Sequence, residues 1–268
     1  DKAPTSVDKP TVPRAFGVSL LNLWQGGAVD VTPFWLSSKP AYTFNQWVNK
    51  KFTAMETFNL SAATFKTDTT SVVSVGFRTQ VFRIYSKARK KELLDKENEI
   101  IELITPKLDS LDEPVDMTAG ERQEALEKLD ELSELKSKDF FSLEIAGAIL
   151  GSSNNNSYKN LASEKSGVWV NLRWSPAKNN LDFTGVARYS WVNNATPKTG
   201  SDSAFLDFGA ALNYEKNKFN ISFEYITRKD LSAKSNSTRF ALVSNYALNE
   251  NIILVASIGK NFSEVDNI

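Results

Sequence analysis

Alternation of bulky apolar side chains with small or polar ones is the feature that most limits how this chain can fold. The clearest example is residues 71–85, where the odd positions are mostly apolar. Successive side chains of a β-strand point to opposite faces of its sheet, so such a segment has one apolar and one polar face. The apolar set is Val73, Val75, Phe77 and Val81, and the opposing set is Ser74, Gly76, Arg78 and Gln80.

The same alternation recurs in later segments and, more weakly, near the N-terminus. The later segments are residues 141–149, 168–174, 181–191, 206–214, 219–225, 239–248 and the more uniformly apolar 251–258. The earlier candidates are residues 14–24, 28–36 and 57–65. Residues 14–24 fit either a first strand or a short amphipathic plug segment. Because proline cannot donate a hydrogen bond to a neighbouring strand, Pro33 indicates that the strand over residues 28–36 lies at a sheet edge or at the seam of a barrel. The pattern predicts an all-β, antiparallel protein.

Two architectures produce this alternation, a soluble sandwich and a transmembrane β-barrel. Three features favour the barrel: long segments, aromatic residues at segment ends, and short turns that alternate with longer polar loops. The aromatic residues are Trp174, Tyr189, Trp191, Tyr214, Tyr225 and Tyr246. We predict a membrane protein with an antiparallel transmembrane β-barrel of about 10–12 strands. Twelve strands are preferred and ten are the alternative, because closed single-chain bacterial barrels have even strand numbers.

Between residues 86 and 138 the apolar period changes from 2 to 3.6, which predicts an inserted α-helical hairpin. Pro106 is expected to end or kink the first helix, and Thr118 with Glu121 forms a capping box for the second. The first apolar stripe is Leu94, Ile101, Ile104, Leu108 and Leu111, and the second is Leu126, Leu129, Leu132 and Leu135. The hairpin either buries its stripes against itself or docks a partner, for which the second stripe supplies the candidate residues.

Four regions follow from these boundaries. Residues 1–14, which include three prolines, form an extended N-terminal segment, and residues 15–85 hold the first strands with an aromatic-rich connector. Residues 86–138 are the hairpin, and residues 139–268 hold the remaining strands. The connector is predicted to be a packed loop, with a plug or membrane-interface segment as the alternative. Because short turns are periplasmic in such barrels, counting strands backward assigns the hairpin to the periplasmic side.

The chain also resembles a known class of proteins, most specifically over two short stretches near its N-terminus. The resemblance, to outer-membrane β-barrel proteins of the Bacteroidota type, is specific over RAFGVSLLN at residues 14–22 and AVDVTPFWL at residues 28–36, and architectural elsewhere. Those proteins are poorly characterised in function. The resemblance implies a Gram-negative outer-membrane location and transfers no catalytic residue. Asp1 is expected to follow a removed secretory signal.

Composition argues against several chemistries. The chain has no cysteine and no histidine, so it lacks a thiolate nucleophile and the His base that hydrolytic serine enzymes use. No Asp-x-Asp-x-Asp-Gly calcium loop occurs. Lys plus Arg and Asp plus Glu are equal at 32 each, so there is no overall basic field for nucleic acid. An aspartyl or Ser/Lys mechanism is the catalytic alternative, but the sequence contains no motif for either. We predict a protein that is not an enzyme and has no cofactor, metal site or nucleic-acid partner.

Eight charged residues lie at the strand positions that alternate with the apolar ones, and they would therefore face the interior of the barrel. Their signs balance, so we expect a paired network that fills the lumen, with a narrow selective pore as the alternative. The set is Arg78, Glu144, Arg173, Asp182, Arg188, Asp207, Glu224 and Arg239.

These features together predict a non-catalytic subunit or scaffold of a larger envelope complex. Its partners would be outer-membrane lipid and other envelope proteins, and the helical hairpin would be the partner-binding element. The hairpin favours this role because a simple pore needs only a short turn where this chain has about fifty residues. A small-solute channel or transporter of the outer membrane is the alternative.

Overall fold

The computed structural model describes residues 27–36, 43–66, 69–105, 107–108, 114–115, 118–137, 140–153, 158–176, 180–193, 202–216, 218–249 and 252–262. The strands are β1 (Gly27–Val31), β2 (Asn59–Lys66), β3 (Ser71–Ile84), β4 (Lys107–Leu108), β5 (Pro114–Val115), β6 (Phe141–Ser153), β7 (Ala162–Trp174), β8 (Leu181–Val192), β9 (Ser203–Lys216), β10 (Phe219–Asp230), β11 (Ser235–Asn249) and β12 (Ile252–Lys260). All except β4 and β5 form one antiparallel sheet in the order β1-β2-β3-β6-β7-β8-β9-β10-β11-β12. Within the described part of the chain, β4 and β5 pair only with each other.

The predicted antiparallel β architecture is confirmed. The sheet holds ten strands in the part of the chain that is described, rather than the preferred twelve. Within those residues it is open, because β1 pairs only with β2 and β12 only with β11. Residues 14–24, the candidate first strand, lie outside the described residues.

Five α-helices in the described residues lie at one end of the sheet, which we call the helical end, and a short 3-10 helix (Tyr158–Asn160) lies between β6 and β7. The α-helices are α1 (Pro33–Leu36), α2 (Phe44–Asn49), α3 (Ala54–Thr57), α4 (Lys87–Ile104) and α5 (Ala119–Ser137). The first three connect β1 to β2, and the last two connect β3 to β6. The opposite end, where β2 turns into β3 and β6 into β7, is the loop end. Across the described ranges, no helix combines the length and apolar character needed to span a bilayer.

The predicted strand over residues 28–36 is wrong in its second half. β1 ends at Val31 and α1 begins at Pro33. Proline is favoured at the first helical position, because the N–H it lacks would be unpaired there and its φ already suits a helix. Farther along the connector, the side chain of Thr43 caps α2 by accepting a hydrogen bond from the Gln46 amide.

The parity predicted for β3 fails at Val81. The pairing of β3 with β6 shifts between Gln80 and Phe82, so Val81 is the extra residue of a β-bulge. Its carbonyl accepts a hydrogen bond from the amide of Thr53 at 3.2 Å. Because the extra residue exchanges the two faces of the strand, Phe82 and Ile84 continue the apolar face.

The predicted helical hairpin is formed by α4 and α5, which pack side by side. The first helix ends at Ile104, before Pro106, as expected. The capping box of the second helix is confirmed, since the Thr118 hydroxyl accepts from the Glu121 amide at 3.2 Å. In return, the Glu121 carboxylate accepts from the Thr118 amide at 2.8 Å.

A hydrophobic cluster joins the hairpin to the helical end of the sheet. Its buried members are Val48, Tyr85, Leu93, Ile100 and Leu132, with Phe44, Trp47, Leu94 and Leu135 packed around them. The apolar stripe predicted for α4 is therefore wrong by one position: Ile100 is buried, whereas Ile101 and Ile104 are exposed. The contacts with α2 and with Tyr85 decide which way the helix faces, and these contacts come from distant parts of the sequence.

Candidate functional site

The strand register gives the sheet one apolar face and one polar face, since side chains directly opposite each other across a pair of strands share a face. Phe223, for example, lies opposite Leu212 on β9 and Leu242 on β11. The exposed large members of this apolar face include Val75, Ile149, Val168, Leu172, Phe183, Tyr189, Phe208, Leu212, Phe223, Tyr225 and Phe240.

The exposure of the two faces is the reverse of what a water-soluble sheet shows. On the apolar face, Ile149 is 56% and Phe223 45% exposed. On the polar face, Asp207 is only 1% exposed, and Ser142 and Ser190 are also buried. In soluble antiparallel sheets the apolar face packs on a core and the polar face meets solvent.

The polar face lines the concave side of the sheet. A cavity of about 270 Å³ near the loop end is lined by residues from six adjacent strands, β3, β6, β7, β8, β9 and β10. Neighbouring strands lie about 4.8 Å apart, so the outer two of these six would be about 24 Å apart in a flat sheet. A cavity this small is lined by all six only because the sheet bends around it.

All eight charged residues predicted to face the interior lie on this polar face by register: Arg78, Glu144, Arg173, Asp182, Arg188, Asp207, Glu224 and Arg239. Two of the pairs are partly open to solvent. Arg78 Nε is 3.9 Å from Glu144 Oε2, and Arg173 Nη2 is 3.0 Å from Asp182 Oδ2. Exposed pairs of this kind contribute little to stability.

Asp207 is the centre of the most buried cluster. It lies directly opposite Arg188 on β8 and Arg228 on β10. Its Oδ2 accepts from Arg188 Nε at 2.9 Å, and its Oδ1 accepts from Arg228 Nε at 2.8 Å. Arg228 is missing from the predicted set because the predicted segment ends at residue 225, whereas the strand continues to Asp230. Arg228 has the same parity as Glu224, and this is the signal that could have found it.

Glu224 and Arg239 are brought to the same face but not to each other. Glu224 lies opposite Ala241, and Arg239 lies opposite Ile226. Neither makes an ion pair within the described ranges. Six of the eight predicted residues are therefore paired, in three separate places along the sheet, because the strand register decides which residues of one face meet.

Comparison with known protein families and with curated proteins gave no match. Among the residues with described positions, no group of three or more acidic, His or Cys side chains is arranged to hold a metal ion.

A second charged cluster lies at the helical end, where β3 meets the helices. The buried Arg83 guanidinium stacks 3.8 Å from the centre of the Trp47 ring, and its Nη2 donates to the Trp47 carbonyl at 3.1 Å. Lys136 Nζ lies 5.2 Å from the same indole ring. Burial, and after it the nearby Arg83 charge, holds the pKa of Lys136 below its ordinary value. Because it also contacts Tyr85, this cluster fastens the hairpin to the end of β3.

The hairpin has two different flanks. On one flank, Lys96 bonds to Glu99 and Glu131, and Lys128 bonds to Glu99. Successive helical residues are rotated by about 100°, so residues that flank the buried positions on the other side point away from these ion pairs. We call that side the apolar flank, and it consists of Ile101, Ile104, Leu126 and Leu129, all exposed.

The four leucines predicted to bind a partner do not share one surface. Leu132 is buried in the cluster at the helical end, and Leu135 packs against it. Leu126 and Leu129 are 58% and 47% exposed. The three-residue spacing of the stripe drifts around the helix, because 3.6 residues and not three complete a turn. Leu132 and Leu135 therefore belong to the hairpin core, and only Leu126 and Leu129 are accessible to a partner.

Proposed function

We propose that the sheet forms the wall of an outer-membrane β-barrel and that the protein acts as a non-catalytic subunit or scaffold of an envelope complex. The observation that supports a membrane location is the exposure of the large side chains on the apolar face, for example Ile149 and Phe223. Leaving apolar surface in water costs about 25 cal/mol per Å². Lipid removes that cost, and an outward apolar band is what transmembrane barrels present to it.

The length of the apolar band supports the same proposal. On β8, the outward positions from Phe183 to Trp191 are all apolar or glycine, and aromatic rings stand at both ends. At about 3.4 Å per residue this stretch is about 27 Å long. A strand tilt of 35–45° shortens its height to about 20 Å, close to the apolar band of about 25 Å in outer-membrane barrels.

The hairpin supports the scaffold role. Its base is fastened to the sheet through Arg83, Trp47 and Tyr85, so its apolar flank has a defined orientation. Four exposed aliphatic side chains next to one another are more often found at protein–protein contacts than on free surfaces. A small-solute channel or transporter is the second candidate, and the cavity on the polar face favours it.

Cell fractionation tests the membrane proposal. We expect the full chain to co-fractionate with outer membranes and to migrate differently on a gel before and after boiling, because closed barrels resist detergent unfolding. The measurement is the distribution of protein among soluble, inner-membrane and outer-membrane fractions, with the gel shift run on each. Recovery as a soluble monomer without detergent would contradict the proposal.

Substitution of the apolar flank tests the scaffold proposal. The double variant Leu126→Gln, Leu129→Gln should leave the hairpin folded, because both side chains are exposed, and should remove the proteins that co-purify in mild detergent. The matched control, Glu127→Gln with Asp130→Asn, changes two exposed polar residues of the same helix and should retain them. An unchanged set of co-purifying proteins in the leucine variant would refute the scaffold role. Deleting residues 86–138 is a poorer test, because it would expose Val48 and Tyr85.

A further inference from the structure

We propose that the cavity on the polar face binds a small organic anion, in which one carboxylate or phosphate group is joined to an apolar or aromatic body. Cationic and apolar side chains alternate around the cavity: Lys165 lies opposite Leu150, Arg188 lies opposite Trp169, and Arg228 packs on Phe205. Its charged lining residues are Lys165, Arg188 and Arg228, and its larger apolar lining residues on the polar face are Leu150, Trp169, Val192 and Phe205. The inference concerns the polar face alone and does not depend on what the hairpin binds.

The first argument is charge. Three cationic side chains line the cavity, and the carboxylate that pairs with two of them, Asp207, is shared between Arg188 and Arg228. One negative charge therefore serves two guanidinium groups. Lys165 has no ion pair within the described ranges. Among the described residues, the lining and Asp207 together leave an excess of two positive charges, which attracts an anion.

Within the described residues, two neighbouring carboxylates form no ion pair with the cations of the cavity. Glu164 and Asp230 lie on the strands that form it, but neither lines it. The Glu164 carboxylate accepts a hydrogen bond from the Ser152 hydroxyl. The Asp230 carboxylate accepts from the amides of Ser232 and Ala233 at 2.8 Å each, in the turn after β10. Both are thus engaged by neutral donors outside the cavity.

The second argument is that hydrogen-bond donors are held in place at the cavity and remain available to a ligand. Arg228 is positioned by Asp207 and by two aromatic rings, its guanidinium carbon lying 5.0 Å from the centre of Phe205 and 4.2 Å from that of Phe262. Its Nε and Nη2 donate to Asp207, which leaves Nη1 for a ligand. The Lys165 ammonium and the hydroxyl of Ser190 line the same cavity. A carboxylate or phosphate oxygen is the acceptor that such donors prefer.

The third argument defines the rest of the ligand. Trp169 and Phe205 supply aromatic surface, and Leu150 and Val192 supply aliphatic surface, so a ligand that fills the cavity carries an apolar body as well as the anionic group. The volume of about 270 Å³ lies at the lower end of known ligand cavities, which limits that body to about the size of one aromatic ring. Because the cavity lies on the face opposite the exposed apolar side chains, the ligand enters from water and not from lipid.

Calorimetric titration of the full chain in a non-ionic detergent tests the proposal, with phenyl phosphate and benzoate as probes. We expect saturable binding of at least one probe, weakened about tenfold or more by Lys165→Gln and by Arg228→Gln, since each removes a charged donor. The matched control is Arg239→Gln, on the same polar face but outside the cavity, which should leave the affinity unchanged. Restored affinity in Lys165→Arg would attribute the effect to charge, as proposed.

Two further titrations complete the test. Inorganic phosphate should bind more weakly than phenyl phosphate, and benzyl alcohol should bind more weakly than benzoate. Equal affinity for phosphate and phenyl phosphate would overturn the assignment of an apolar body. The absence of saturable binding by either aromatic anion in a chain whose circular dichroism shows intact β structure, or equal losses in Lys165→Gln and Arg239→Gln, would overturn the site itself.

Discussion

Arginine in place of Phe223 should reduce the stability of the membrane-inserted protein by about 2–4 kcal/mol, the effect of a cation near the bilayer midplane on the lipid side of a barrel. Phe223 lies near the middle of β10 and is 45% exposed on the apolar face. In a water-soluble sheet the same change at an exposed position would fall within about 0.5 kcal/mol of neutral. The expected effect thus separates the two environments, and urea unfolding of the protein in lipid vesicles measures it.

The adjacent residue supplies the control for this experiment. Ser222 lies on the opposite, polar face, where it is opposite Asn213. Ser222→Arg introduces the same charge one residue away and should be tolerated, since the polar face does not meet lipid. Equal unfolding free energies for the two arginine variants would mean that the apolar face does not contact the membrane.

Replacing Asp207 by Asn should cost about 3 kcal/mol of folding free energy, at the lower end for breaking a buried ion pair. The Asp207 side chain is almost fully buried and accepts from both Arg188 and Arg228, so the substitution leaves two cations facing each other without a shared anion. The expected loss of folding free energy is at the lower end of the range because the Arg188 side chain is 42% exposed, so water solvates part of its unpaired charge.

Asp182→Asn is the matched control for the Asp207 substitution. Asp182 also pairs with an arginine on the polar face, Arg173, but both side chains are about one third exposed. Exposed pairs contribute about 0–1 kcal/mol, so this variant should be close to neutral. If the two Asn variants unfold at the same urea concentration, then the buried cluster does not stabilise the sheet.

Local backbone geometry explains why so much of the strand pattern can be predicted from sequence. A side chain's direction in a strand depends on parity alone, so alternation placed all eight predicted charged residues on one face without any knowledge of the fold. Capping is equally local, and the Thr118–Glu121 box follows from three-residue spacing. The two places where the strand prediction is wrong also have local causes. The extra residue Val81 shifts the alternation in β3, and Pro33 begins a helix where a strand was expected.

Contacts between distant segments could not be predicted in this way. Arg188, Asp207 and Arg228 meet because the pairing of three strands puts them at the same level, and turn lengths and bulges set that register. Glu224 has the same parity and the same charge as Asp207, yet it lies opposite alanines. Parity determines on which face of the sheet a side chain lies, but it does not determine which side chain it contacts.

The amino-acid pattern alone therefore determined the antiparallel β class, the two faces and the position of the helical hairpin, because each depends on periodicity within one segment. Only the tertiary structure decided which hairpin residues are accessible. Ile100 is buried and Ile101 exposed because Val48 and Tyr85 pack against one side of the helix. It also decided that six strands curve around one cationic cavity, since curvature is a property of the whole sheet and of no single strand.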